Sequence, residues 1–524
     1  MAAPWLLVLL SVAACAQSRP EDAAGSGAVA PVADQAWGMG SLTVPMPVKR
    51  SRAGPRLDAG KREAGSAGAD SDAPLVLAIE HRQVPGLAKR TNGPVLNQAL
   101  QARSDVAYYT TLMFGNPQQA IQVLVDTGSS ELWINPDCAT SGPASEQAFC
   151  LGQVGKYRAN NSRTSSTRGE KGRIRYGSGA VNFTYFTDDV GLPNSRAMKK
   201  VKYGVATTST GVSSGILGIM AGSNVTTKYN NFIDELKIQG LTRSKSYSVA
   251  LGLKGEGKGS IIFGGVDSSK WVGKLRAQPI IPPRKSPDRV PRFWVQLKSI
   301  SHSAAGSRSR RRLRNSTMAV ILDTGSTLSI LPPSLVGDMA SALSAGRADQ
   351  TGLRQVPCQM ANQAGSFNFR FKGVTIRVPY REMIRQSNAG CYLGVMESDS
   401  LALLGDTFLR SAYAVFDIDG NKVLLAQYAN CGESPKTAAS RELPNMRGRC
   451  RQKDLAPSVR LTSEEGAEAD ADADADADNG LDDNNKKNTD NNNGQSAASG
   501  RLAASGIMGV AAAVGVAIVL AWGL

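Results

Sequence analysis

Between about Val95 and Cys431 the chain alternates short apolar or half-apolar runs with Gly, Asn, Asp and Ser. The segments "YYTTLMFG", "QAIQVLVD", "GRIRYGSG", "YSVALGL", "SIIFGGV", "FNFRF", "VTIRV" and "AYAVFDI" have the length and spacing of strands punctuated by turns. Only short stretches such as "NNFIDELKIQG" and "PSLVGDMASAL" carry a helical pattern. The pattern predicts a mainly β protein. Outside this window the texture changes: Gln17 to Arg90 is rich in Ala, Gly and Pro, Glu464 to Gln495 is rich in Asp and Asn, and Ile507 to Leu524 is apolar.

Two of the strand patterns end in the same way. "VLVDTGSSELW" starts at Val123 and "VILDTGSTLSI" at Val320, so Asp126-Thr127-Gly128-Ser129 recurs as Asp323-Thr324-Gly325-Ser326 behind three apolar residues. A second motif follows each copy in the same order. "GILG" closes 92 residues after Asp126, and "ALLG" closes 82 residues after Asp323. Two shared motifs in register indicate two related halves.

A carboxylate at the end of a buried strand is partly desolvated, and the Gly beside it lets the backbone turn tightly. One such Asp alone reads as a cap or an ion-pair partner. Two brought together across a pseudo-twofold axis make a pair that cannot easily ionise twice, so it keeps one proton over a wide pH range. That state holds a general base beside a general acid.

With these motifs the chain resembles the pepsin-like aspartic proteases over about Val106 to Ala429, and its ending resembles the fungal GPI-linked, yapsin-type members. "YGSG" is similar to the flap hairpin over the cleft, with Tyr176, Gly177 and Ser178, and Trp133 stands where a tryptophan bonds the flap tyrosine. "NFIDELKIQGL" and "GSIIFGGVDSSKWVGKL" resemble the helix and following strands of the first half, and "LLGDTFLRSAYAVFD" resembles the close of the second. The resemblance implies a bilobal β fold with the active-site cleft between the lobes. It implies Asp126 and Asp323 as the catalytic pair, and Ser129 and Ser326 bonding their outer oxygens. Thr127 and Thr324 would interlock the two loops, Gly128 and Gly325 would allow close approach, and Tyr176 would cap the substrate. No cofactor is expected.

The ends predict export and anchoring. Residues 1–16 read as a signal peptide cleaved after Ala16, and residues 17–90 as a prosegment ending at the dibasic Lys89-Arg90, cut by a secretory-pathway protease at Arg90. Lobes are expected over 91–290 and 291–434, followed by a solvated Asp/Asn-rich stalk over 435–496. The tail 497–524 has no basic flank behind it and reads as a removed GPI-attachment signal, with Ser496 as the anchored residue; a retained membrane helix is the alternative.

Cys15 leaves with the signal, so six cysteines remain in an oxidising compartment. Proximity pairs Cys138 with Cys150, Cys358 with Cys391, and Cys431 with Cys450. With two histidines and no clustered Cys/His, a metal site or a His-dependent triad is not expected. Sequons at Asn160, Asn182, Asn224 and Asn315 fit a glycoprotein of the plasma membrane or cell wall. The net charge of +16 is scattered without aromatic interleaving, which argues against nucleic acid as a partner. A monomer acting on peptide or protein substrates is expected.

Three features stay open. The basic segment Ser301 to Thr317 reads as a hairpin tip, with proteolytic nicking as the alternative. Ser178 and Ala107 stand where an acidic residue could have met a basic substrate, so a pocket for hydrophobic side chains is expected. The prosegment run Pro74 to Val84 has the pattern of a strand added to the folded enzyme, released in acid. A catalytically silent fold serving in binding or wall assembly is the competing function.

Overall fold

The computed structural model describes residues 75–82 and 107–459, apart from 136–137, 139–146, 148–149, 152–154 and the single positions 178, 194, 213, 257, 308 and 388. The expected signal peptide, most of the prosegment with Arg90, the acidic run and the tail with Ser496 lie outside the described residues. Among the described residues no helix is long and apolar enough to cross a membrane.

Strands dominate, as the alternating pattern predicts. The first half contributes β1 (Leu75–Arg82), β2 (Ala107–Phe114), β3 (Gln119–Asp126), β4 (Leu132–Ile134), β5 (Ser166–Arg175), β6 (Ala180–Gly191), β7 (Met198–Thr210), β8 (Gly215–Gly218), β9 (Ser246–Ala250) and β10 (Lys258–Phe263). These join strands Trp271–Pro279, Ala412–Asp417 and Lys422–Tyr428 in one 13-stranded sheet. Two strands from late in the chain, Ala412–Asp417 and Lys422–Tyr428, therefore pair into the sheet of the first half. The helix Phe232–Ile238 starts at a capping box, in which the Asn231 side chain accepts from the Asp234 N–H and Asp234 reaches back to the Asn231 N–H.

The sequence repeat reappears as a repeat of strand pairing. β3 runs parallel to β8, with Asp126 opposite Gly218, and β8 runs antiparallel to β4. In the second half Met318–Leu322 runs parallel to Leu403–Leu404, which is antiparallel to Ser329–Leu331. Each Asp thus ends a strand clamped by its own Gly-closed strand. Val123, Val125, Val320 and Leu322 are fully buried there, so each loop stands on a packed base.

β1 is inserted between β10 and β2, with Leu75–Glu80 opposite Lys258–Phe263 and Glu80–Arg82 opposite Ala107–Tyr109. The run expected to add a strand does so, in the interior of the sheet order. The basic segment is a paired hairpin: Ser299–Ser303 runs antiparallel to Arg310–Arg314, which forms the edge of a four-stranded sheet. This agrees with the hairpin-tip expectation.

All three disulfides form as proximity suggests: Cys138–Cys150, Cys358–Cys391 and Cys431–Cys450. The expected stalk boundary at 435 needs correction. Residues 435–459 belong to the folded unit, because Pro435–Thr437 pairs with Gly265–Asp267 and Ala438, Leu443, Cys450, Leu455 and Val459 are buried. Burial of those apolar side chains outweighs the polar average of the segment. The four sequon residues Asn160, Asn182, Asn224 and Asn315 are all exposed.

Candidate active site

Asp126 and Asp323 stand at the ends of their strands, both without exposure to solvent, and their carboxyl groups adjoin: the place a Cβ on Gly325 would take borders Asp126 Oδ1 and lies 3.1 Å from Asp323 Oδ1. The two loops are tied by four reciprocal bonds. Thr127 N–H donates to Thr324 Oγ1 (3.1 Å) and Thr127 Oγ1 to the Leu322 carbonyl (2.9 Å). Thr324 N–H donates to Thr127 Oγ1 (3.0 Å) and Thr324 Oγ1 to the Val125 carbonyl (2.8 Å). Each hydroxyl both accepts and donates, so the buried polar groups of the crossing are satisfied.

Glycine is required at the third position of each motif. A Cβ on Gly128 would lie 2.7 Å from Asp323 Oδ1, and one on Gly325 would collide with Asp126 Oδ1. Each loop therefore packs its glycine against the other loop's carboxyl group.

The pair is not symmetric. Asp126 accepts from Gly128 N–H at 2.7 Å on Oδ1 and from Ser129 Oγ at 2.5 Å on Oδ2. Asp323 accepts from Gly325 N–H at 2.8 Å. Ser326, expected to mirror Ser129, instead donates to the Leu328 carbonyl at 2.8 Å, while its own carbonyl accepts from Asp406 N–H at 2.9 Å. Those local partners turn the hydroxyl away from the carboxylate. Burial raises the pKa of both acids; at Asp126 the Ser129 and Gly128 bonds oppose the rise, whereas at Asp323 the neighbouring Asp126 charge adds to it and the value stands well above the usual range.

Tyr176 lies at the turn joining β5 to β6, where its N–H bonds the Gly179 carbonyl at 2.7 Å; Gly177 follows it in the turn and Ser178 lies outside the described residues. Trp133 Nε1 donates to the Tyr176 hydroxyl at 2.8 Å, and both side chains are buried in one cluster with Ile174, Val181 and Phe183. Ala107 begins β2, next to β1.

Three further charged groups border the site without having been singled out from the sequence. Arg292, buried, donates to the Gly128 carbonyl at 3.3 Å and to Asp288 at 2.6 Å. Asp406 is buried behind Asp323, and burial holds its pKa well above the usual range. Glu131 accepts from the hydroxyls of Tyr185 (3.1 Å) and Tyr229, and burial raises its pKa too. Asp406 was open to detection, since "ALLGD" stands against "GILGI" in the repeat. Arg292, a single basic residue in "PRFWV", carries no such signal.

Residues 107–428 match the family model "Eukaryotic aspartyl protease". The chain is 37% identical over 327 residues to "Secreted aspartic protease 8" of Candida albicans, covering 61% of this chain and 76% of that protein. It is 30% identical over 380 residues to "Probable aspartic-type endopeptidase opsB" of Aspergillus fumigatus, covering 68% and 76%. The crystal structure of an aspartic proteinase from Irpex lacteus superposes with a TM-score of 0.50 at 24% identity, covering 68% of this chain and 98% of the other, and shows the fold.

Proposed function

The chain belongs to the eukaryotic aspartyl protease family, and from that premise we propose that it is a cell-surface endopeptidase in which Asp126 and Asp323 activate water against a peptide bond, favoured by acid. It is an aspartic-type endopeptidase, a hydrolase of peptide or protein substrates.

The observation that most supports the dyad is the pair of buried, adjoining carboxyl groups on threonine-locked loops. In the monoprotonated pair the ionised carboxylate takes a proton from water as its oxygen attacks the peptide carbonyl. The protonated partner donates to the carbonyl oxygen, giving a tetrahedral diol without a covalent enzyme intermediate. Raised pKa values keep the shared proton in place across the acid range. Tyr176, held by Trp133, covers bound substrate from a hairpin that moves to admit it.

Secretion is supported by the secreted relative and by the apolar start of the chain. Removal of 17–90 at Arg90, glycans on Asn160, Asn182, Asn224 and Asn315, and a GPI anchor at Ser496 complete the proposed mature protein, a monomer held at the plasma membrane or wall. Its substrates would be other secreted or surface proteins, cut beside hydrophobic side chains.

Hydrolysis of a peptide library between pH 3 and pH 7.5 tests the proposal, with Asp126→Asn and pepstatin as controls. Acid-favoured cleavage abolished by both is expected. A folded protein that cleaves nothing would reject it, and cleavage confined to Lys and Arg would reject the hydrophobic preference.

A further inference from the structure

The two catalytic loops are near copies, yet what stands behind them differs. Arg292 lies two residues before the first residue of the strand Trp294–Leu297, and its side chain is 1% exposed. Its Nε donates to Asp288 Oδ2 at 2.6 Å and its Nη1 to the Gly128 carbonyl at 3.3 Å. Asp288 is itself fixed, because its Oδ1 accepts from Val290 N–H and Trp294 Nε1, each at 3.0 Å, and from Ser286 Oγ at 3.3 Å. The guanidinium therefore cannot swing away without breaking a buried network. Gly128 in turn donates its N–H to Asp126, so the cation holds the same residue that holds the carboxylate.

Behind Asp323 stands a carboxyl group instead. Asp406, at the start of the helix Asp406–Leu409, occupies the place that Ile219 holds after Gly218 in the first half.

We propose that Arg292 is a positioning residue that clamps the first Asp-Thr-Gly-Ser loop and keeps a permanent positive charge beside Asp126, so that Asp126 serves as the base while Asp323 retains the proton. The inference rests on the dyad function above. Burial raises the pKa of both acids; within that rise the Arg292 charge adds a small lowering at Asp126, after the Ser129 and Gly128 bonds, while the charges of Asp126 and Asp406 add to the rise at Asp323. The other groups facing the pair are Tyr176 and Tyr247, both neutral because burial pushes their hydroxyls far up, and Arg410 and Arg385, which face Asp406.

The test is the pH profile of kcat/KM for the secreted protein with Arg292→Gln and Arg292→Lys. Losing the cation lets the Asp126 pKa rise, so the acid limb of Arg292→Gln should move up by about one pH unit. At pH values below that limb kcat/KM falls about tenfold, with the loss in kcat rather than KM. Arg292→Lys keeps the charge and should restore the wild-type limb. An unmoved limb in folded Arg292→Gln, or an equal shift in Arg292→Lys, would overturn the inference. If Arg292→Gln does not fold, Asp288→Asn decides: removing the opposing charge should move the limb down, and no movement overturns the proposal. A wild-type protein inactive at every pH would remove the dyad function itself, and this inference with it.

Discussion

Trp133 and Tyr176 come from elements 43 residues apart and meet through one hydrogen bond in a dry cluster. Because the indole N–H is donor only and fully buried, its bond to the Tyr176 hydroxyl matters more than the average bond. Tyr176→Phe keeps the ring and leaves that N–H unpaired, so we expect a loss of about 1–3 kcal/mol in urea unfolding and a lower kcat/KM. Unchanged stability would mean that the indole finds another acceptor. Side-chain roles in the site differ in how far sequence foretells them. The threonine and glycine placements follow from backbone geometry that any chain with this turn must adopt. Ser326 departs because its hydroxyl has a nearer local carbonyl, and such a rotamer choice depends on neighbours that the motif does not specify.

Strands buried on one or both faces, such as β3 and Ala412–Asp417, announce themselves by their apolar positions. The part of β5 ahead of "GRIR" and Arg310–Arg314 do not, since their residues are mostly exposed and pairing with a neighbour holds them extended. β1 is the element with the largest consequence. It makes six residue pairs with β10 and three with β2, so its departure on cleavage at Arg90 would open two sheet edges. We expect protein expressed without residues 17–90 to melt lower than the full chain, and a peptide of residues 74–84 added in excess to raise its melting temperature by mass action. A peptide without effect at 100 µM or more would show that other backbone fills those edges in the shortened chain.

Across the whole molecule the buried acids set how stability varies with pH. Burial raises the pKa of Asp126, Glu131, Asp323 and Asp406 above their ordinary values. A carboxyl whose folded pKa is raised contributes stability that is complete below its unfolded value of about 4 and is lost as pH climbs through the folded value. Two groups oppose this trend. Burial lowers the pKa of His302; burial also pushes Asp419 up, but its bonds to Lys237 and Lys245 outweigh that and lower it. Lys254, brought down to about 7 by burial and the Arg410 charge, changes stability only above that pH, where the fold favours its neutral form. Between pH 4.5 and 7 the four acids should dominate. Below about pH 4 the carboxylates of a chain already at +16 lose their negative charge, and self-repulsion takes over. We therefore expect the melting temperature to peak near pH 4.5 and to decline toward pH 7.5, with Asp406→Asn flattening the decline. A melting temperature that climbs steadily to neutral pH would show that these buried acids ionise at little cost, and would take away the physical basis for a shared proton that survives in acid.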